Sequence, residues 1–434
     1  MRRRRARWLI GLLLAVLAQA GCAAPAGPGV LQPASPPPPA ADGATAAQLL
    51  KALIEHSRHP AQLRDGRLLG PGAVLMRQLG AQAQHVVLGE QHGNQGIADV
   101  ATAWWADLAD AGYTHAALEA DPWAVTTLEH TLREGGVEAW ARHLESRGGA
   151  RSVAFYGWDA EARWVQAVLQ ARPTSAGPVL WGLDQVFIAS AAQRLRDLAD
   201  ADAGARSPRA RELAGELARD ADAQPQWLGR VAPERLQVLL SLLQDPADAA
   251  ARRLAEALLL SRQIYGPFTG EAGEPWVANT QREDLMRVRF AEQYRHAEAA
   301  LGRAPRVMLK LGAYHAFRGA SPLPVQGLGG FVTEWAAARR QAVLTALVLC
   351  GPGSQAARYD GEPQPCDQML REGEWQFLAP FVASEGLTVF DLRSWRLRAR
   401  RLATLSPEVL RVVGSFDLLV VAPRSPASNF LGRP

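Results

Sequence analysis

HVVLGEQHGNQGIADVATAWWADLADAGYTHAALEAD, residues 85–121, is the segment on which the fold turns. HVVLG is a short apolar run without alternation, as expected of a strand covered on both faces. The next segment sets Ile97, Val100, Ala101, Trp104, Trp105 and Leu108 at helical spacing, and Gly112 stops it. Trp104 and Trp105 read as core aromatics of that helix. HAALE then reads as a second buried strand, so the segment is strand, helix, strand.

Five further runs rich in Val and Leu repeat the first theme. They are PVLWGLD (178–184), RVMLKLG (306–312), LTALVLC (344–350), LTVFDL (387–392) and FDLLVVAP (416–423). Alternation with helical patterns predicts an α/β domain over about 46–430, with a mostly parallel central sheet flanked by helices. The stretch from about 189 to 300 has helix-spaced leucines, such as Leu236, Leu239, Leu240 and Leu243, and no convincing strand. It reads as an inserted helical subdomain.

The 434 residues are 48% hydrophobic and 21% charged, enough for a large folded core. Three cysteines exclude a disulfide-rich miniprotein and a multi-cysteine zinc or iron–sulfur framework. The formal charge of +4 becomes −1 once Arg2, Arg3, Arg4, Arg5 and Arg7 are set aside. The other arginines alternate with Asp and Glu, as on a solvated helix face. No basic stripe remains for a nucleic-acid partner.

MRRRRAR, WLIGLLLAVLA and QAGC, residues 1–22, read as a secretory signal whose apolar run is too short to span a bilayer comfortably. Ala20-Gly21-Cys22 resembles a lipoprotein processing site, with Cys22 as the lipidated residue. Residues 23–45 form a Pro/Ala-rich tether with four consecutive prolines at 36–39. The expected location is a bacterial envelope, facing the periplasm and held to the membrane by a lipid anchor. In that oxidising compartment Cys350 and Cys366 would close a Gly- and Pro-rich loop; the alternative is two unrelated thiols.

In open parallel sheets ligands bind beyond the carboxyl ends of the strands. The first strand is followed by Gly89-Glu90-Gln91-His92-Gly93-Asn94, and the second by Glu119-Ala120-Asp121. The third ends in Gly182-Leu183-Asp184 and the fourth in Gly312-Ala313-Tyr314-His315. Two histidines and several carboxylates should therefore meet at one edge. Arg282, in NTQREDLMRVRF, is placed to reach them as a carboxylate partner or anion stabiliser. Asp121, Asp184, Tyr314 and His85 read as supporting residues. No Gly-x-Ser-x-Gly, Walker loop or His-Glu-x-x-His is present. A His held by a carboxylate can take a proton from water. Alternatively, His92, His315 and Glu119 can hold a divalent metal with an open position.

VVLGEQHGN, a helix and HAALEAD resemble the erythromycin esterase family. That family opens with a strand, Gly-Glu-x-x-His-Gly and a helix, then a strand ending in Glu. Here one residue fewer separates Glu90 from His92. The spacing Gly-x-x-His, repeated at Gly312–His315, resembles that of Tiki/TraB proteins and ChaN-type haem-binding lipoproteins. WDAEARWVQAVLQ, PVLWGLD, REDLM and FDLLVVAPRSPAS extend the esterase resemblance over roughly residues 80–425. It implies a hydrolase of an ester, lactone or amide in a small molecule or peptide. His92 would be the general base, Glu90 and Glu119 its partners, His315 a second catalytic or ligand residue, and Arg282 a conditional fifth. The ChaN-type alternative implies haem or iron bound without turnover, with Tyr314 or His315 at the iron. A scaffold with a decayed site is the third reading.

Overall fold

The structure, a computed structural model, describes residues 29–37, 45–146, 149, 152–172, 177–201, 204–224, 226–270, 273–359, 362–398 and 405–432. The signal segment and Cys22 lie outside the described residues. Among the described residues no helix is long and apolar enough to cross a membrane.

Among the described residues eleven strands form: β1 (Arg58–Arg64), β2 (Arg67–Leu69), β3 (His85–Glu90), β4 (His115–Leu118), β5 (Leu180–Gly182), β6 (Val307–Gly312), β7 (Val343–Leu349), β8 (Gln355–Ala357), β9 (Pro363–Pro365), β10 (Leu387–Asp391) and β11 (Leu418–Val421). Nine make one sheet in the order β2-β1-β10-β11-β7-β3-β6-β4-β5. From β11 to β5 every neighbour is parallel. β10 and the β1–β2 hairpin continue the sheet antiparallel at one side. All seven apolar runs became strands of this sheet, so the α/β reading holds. β1 and β2 escaped it because β1 is largely exposed and polar and β2 is only three residues long.

Period-2 alternation sends successive side chains to opposite faces, and both faces are covered. Val86, Leu88, Met308, Leu344 and Val348 pack with Trp104, Trp105 and Trp164 in one core. Val87, Leu309, Leu311, Leu347 and Leu419 pack with Met286, Phe290 and Tyr294 in the other. Between β5 and β6 a third core, running from Val186 to Leu258, is built by helices alone. Leu236, Leu239 and Leu243 are fully buried there. The helix Pro275–Leu301 instead lays Met286, Phe290 and Tyr294 on the sheet, and it crosses back to β6.

Because six central strands run parallel, their carboxyl ends share one edge. Glu90 closes β3, Glu119 follows β4, Asp184 follows β5 and Gly312 closes β6. His85 sits at the other end of β3, roughly 16 Å away at strand rise. It is fully buried against Phe290 and Tyr294, and burial lowers its pKa to about 3. It belongs to the core and supports nothing at the site.

Candidate active site

The turn 91–94 carries His92 from β3 into the helix Gln95–Asp110. Asn94 caps that helix, its Oδ1 accepting from the Ile97 amide at 3.0 Å. Gly93 has φ +81°, and a Cβ there would stand 2.4 Å from the Ala357 carbonyl oxygen, so only glycine fits. His315 lies in a single 3₁₀ turn, Ala313–Ala316, directly after β6. The helix Pro275–Leu301 brings Arg282 and Glu283 down onto the strand ends.

Glu119 is the hub. Its Oε1 accepts from Arg282 Nη2 at 2.8 Å and faces His315 Nε2 at 3.3 Å. Its Oε2 accepts from the Gly312 amide at 2.6 Å and lies 3.6 Å from His92 Nε2. His92 Nδ1 pairs with Glu90 Oε1 at 3.0 Å, and its ring stacks on Phe155 with centroids 3.8 Å apart. His315 Nδ1 pairs with Glu283 Oε1 at 2.5 Å, and Glu283 Oε2 accepts from the Leu328 amide. Asp184 grips Arg282 twice, from Nε at 2.9 Å and Nη2 at 2.5 Å. Beneath them Lys310 Nζ bridges Glu90 at 2.7 Å and Glu161 at 2.6 Å, 5.2 Å over the Trp164 ring.

Cations and carboxylates thus interleave in a buried network, and the charges fix one another. Burial opposes a charged imidazole, yet Glu119 and Glu90 outweigh it and raise His92 to about 9. Burial and the repulsion of Arg282 are likewise overcome at His315, chiefly by Glu119, which raises it to about 10. Burial alone would push Glu119 up, but His315, His92 and Arg282 hold it well below the ordinary carboxylate value. Lys310 and His92 lower Glu90 against the same burial penalty.

The network floors a cavity of about 750 Å³ that opens to solvent. Glu90, His92, Glu119, Arg282 and His315 all line it. Phe317, Leu323, Leu347, Leu349, Trp375 and Val412 supply an apolar wall. The His92 side chain is 25% exposed and that of His315 only 6%, so His92 is the imidazole within reach of solvent. Tyr314 stands half-exposed on the wall. Asp121 does not join the site: its Oδ1 accepts from the Ala124 amide at 2.9 Å and caps the helix Pro122–Ser146.

The donors do not suit a divalent metal. Among the described residues no three His, Cys, Asp or Glu side chains are grouped to hold a metal ion. Within the set His92, His315 and Glu119, the carboxylate already serves Arg282 and the Gly312 amide, and both imidazoles favour the protonated form. Nor is His315 free for haem iron, since Nδ1 pairs with Glu283 and Nε2 faces Glu119.

Sequence reading missed Lys310, Glu161, Glu283 and Phe155. Lys310 did carry a signal: it is one of two lysines in the chain and interrupts an apolar strand. Gly312 was noted as a turn residue, but its reason is contact. A Cβ there would lie 2.7 Å from His92 Nε2 and 3.1 Å from Glu119 Oε2. Gly312→Ala is therefore expected to drive the His92 ring off Glu119. Its pKa, followed by NMR of histidine-labelled protein, should fall from about 9 toward the ordinary 6.5; an unchanged titration would show that the methyl is accommodated.

No protein-family model matches this chain, and no curated protein gives a significant match. Three solved structures share its fold. An erythromycin esterase, EreC, in its open conformation and with a His-to-Asn mutation, aligns at 12% identity and TM-score 0.57, over 87% of this chain and all of that one. A Bacillus cereus protein aligns at 13% identity and TM-score 0.56, over 89% and 99%. A succinoglycan biosynthesis protein aligns at 14% identity and TM-score 0.51, over 87% and 97%. At these identities the likeness is one of fold, and it includes the esterase that the sequence resembled.

Proposed function

We propose that this chain is a hydrolase that activates water with His92 to cleave an ester, lactone or amide. One observation carries the reading: an imidazole held between two carboxylates, beside a second cationic imidazole and an arginine, at the floor of a cavity with an apolar wall. The fold it shares with an erythromycin esterase supports the same class.

Glu90 fixes Nδ1 as the protonated nitrogen, so Nε2 is the one that takes a proton from water. The resulting hydroxide adds to the carbonyl carbon, whose π electrons move to oxygen. Arg282 stabilises that oxyanion, and the charge of His315 behind it adds to the positive field without a direct hydrogen bond. As the intermediate collapses, His92 returns its proton to the leaving oxygen or nitrogen while the C–O or C–N bond breaks, which releases an alcohol or an amine. The apolar wall holds the acyl or alcohol body. The substrate is a small molecule or a peptide. The place of action is the periplasmic face of a bacterial envelope, with lipidated Cys22 as the attachment to the membrane.

Turnover of a panel of simple esters, lactones and peptides by wild type and His92→Ala tests this. The variant should lose about 10²- to 10⁴-fold in kcat. A chelator should leave the wild-type rate unchanged, because the donor set suits no metal. Equal turnover by both proteins, or none by wild type across the panel, would sink the proposal.

A further inference from the structure

The turn bearing His92 is not held by its own strand alone. It is tied to the loop closed by the Cys350–Cys366 disulfide, in which β8 and β9 pair. Gln91, between Glu90 and His92, sends its side chain across both half-cystines. Its Oε1 accepts from the Cys350 amide at 2.8 Å, and its Nε2 donates to the Cys366 carbonyl at 3.1 Å. Gly93 and Asn94 continue the seam: the Ala357 amide donates to the Gly93 carbonyl at 2.8 Å, and Asn94 Nδ2 donates to the Gln355 carbonyl at 2.8 Å. From the loop between β8 and β9, Tyr359 packs 6.0 Å from Phe155, the ring that stacks on His92.

We propose that Gln91 is a positioning residue for His92, and that the Cys350–Cys366 disulfide is what lets it act. A single amide can satisfy both cysteine backbones only while the two chain segments stay side by side. The disulfide holds their Cα atoms 5.8 Å apart. With the bridge in place Gln91 is anchored at both ends of its amide, and the residue after it cannot drift along the floor of the cavity. Loss of the bridge frees Cys366 and removes one anchor. A displacement of about 1 Å at a general base is enough to cost on the order of 100-fold in rate.

The inference rests on His92 being the base, but its test does not need turnover. Gln91→Met keeps the shape and loses both hydrogen bonds. Cys350→Ser/Cys366→Ser keeps Gln91 and loses the bridge. In either variant the His92 titration, read by NMR, should move from about 9 toward 6.5. Where an ester substrate is in hand, kcat on the high-pH plateau, where His92 is neutral in every variant, should fall roughly 10- to 100-fold with little change in KM. The triple variant should be no worse than the more affected of the two, since both remove one device. Circular dichroism confirms that each variant is folded; should the serine pair not fold, Gln91→Met alone decides. A wild-type His92 titration in folded Gln91→Met, or strictly additive effects in the triple variant, would overturn the proposal. Absence of turnover in wild type with the titration behaving as described would instead remove only the hydrolase reading.

Discussion

Lys310→Met is expected to be among the most destabilising single substitutions in this protein, costing about 3–5 kcal/mol. The ammonium is 2% exposed, and so are the two carboxylates it bridges, Glu90 and Glu161. Burial opposes its charge, but Glu161 and Glu90 outweigh the penalty and raise its pKa. Methionine fills nearly the same space beside Trp164, so packing changes little and the loss is electrostatic. Two carboxylates would then face each other in a dry pocket, and at least one must take up a proton. Glu90 neutralised in this way would hold the His92 imidazolium less firmly, so the rise of activity with pH should begin at lower pH while stability drops. Against a typical stability of about 5–15 kcal/mol the chain should still fold, at a visibly lower melting temperature. Thermal unfolding at pH 7 measures it. Lys310→Met/Glu161→Leu removes the facing pair and should regain part of the loss. A single variant as stable as wild type would mean that the triad contributes nothing as an ion network.

The same triad marks the limit of what the sequence discloses. Continuous apolar runs announce strands buried on both faces, so all seven such runs were legible. RHPAQLR was not, because a largely exposed strand of a hairpin near the sheet edge needs no apolar pattern; Asp65-Gly66, both at positive φ, was the signal it did carry. Strand ends of a parallel sheet converge by topology, and that alone makes the grouping of Glu90, His92, Glu119, Asp184 and His315 legible in the sequence. His85 and Asp121 show the cost of the same logic. One lies at the wrong end of its strand, and the other faces a helix amide, two distinctions that spacing does not encode. Glu161 and Glu283 were hidden for another reason. An acid in the first turn of a helix, or beside an arginine on one, reads as a dipole partner or a surface ion pair. Their true partners, Lys310 and His315, are 149 and 32 residues away.

The two histidines should make stability and activity move in opposite directions above neutral pH. Each has a folded-state pKa raised above the ordinary 6.5, to about 9 for His92 and about 10 for His315. A raised pKa means that the folded state binds the proton more tightly than the unfolded chain. Its stabilisation is therefore complete below pH 6.5 and is lost as pH climbs through 9 and 10. The carboxylates that supply it are held ionised throughout this range, so the loss belongs to the imidazoles. Melting temperature should fall steadily between pH 7 and pH 10, and His92→Gln/His315→Gln should flatten that slope. The base, in contrast, works only when neutral. At pH 7 about 1% of His92 is in that form, given a pKa near 9. kcat/KM should rise about tenfold per pH unit and level off near pH 9, where the fold has already begun to weaken. The profile is measured on a substrate whose spontaneous hydrolysis is subtracted at each pH. A plateau already reached at pH 7, with a midpoint near 6.5, would mean that Glu90 and Glu119 do not hold the proton on His92, and the charge network would lose its role in setting the base.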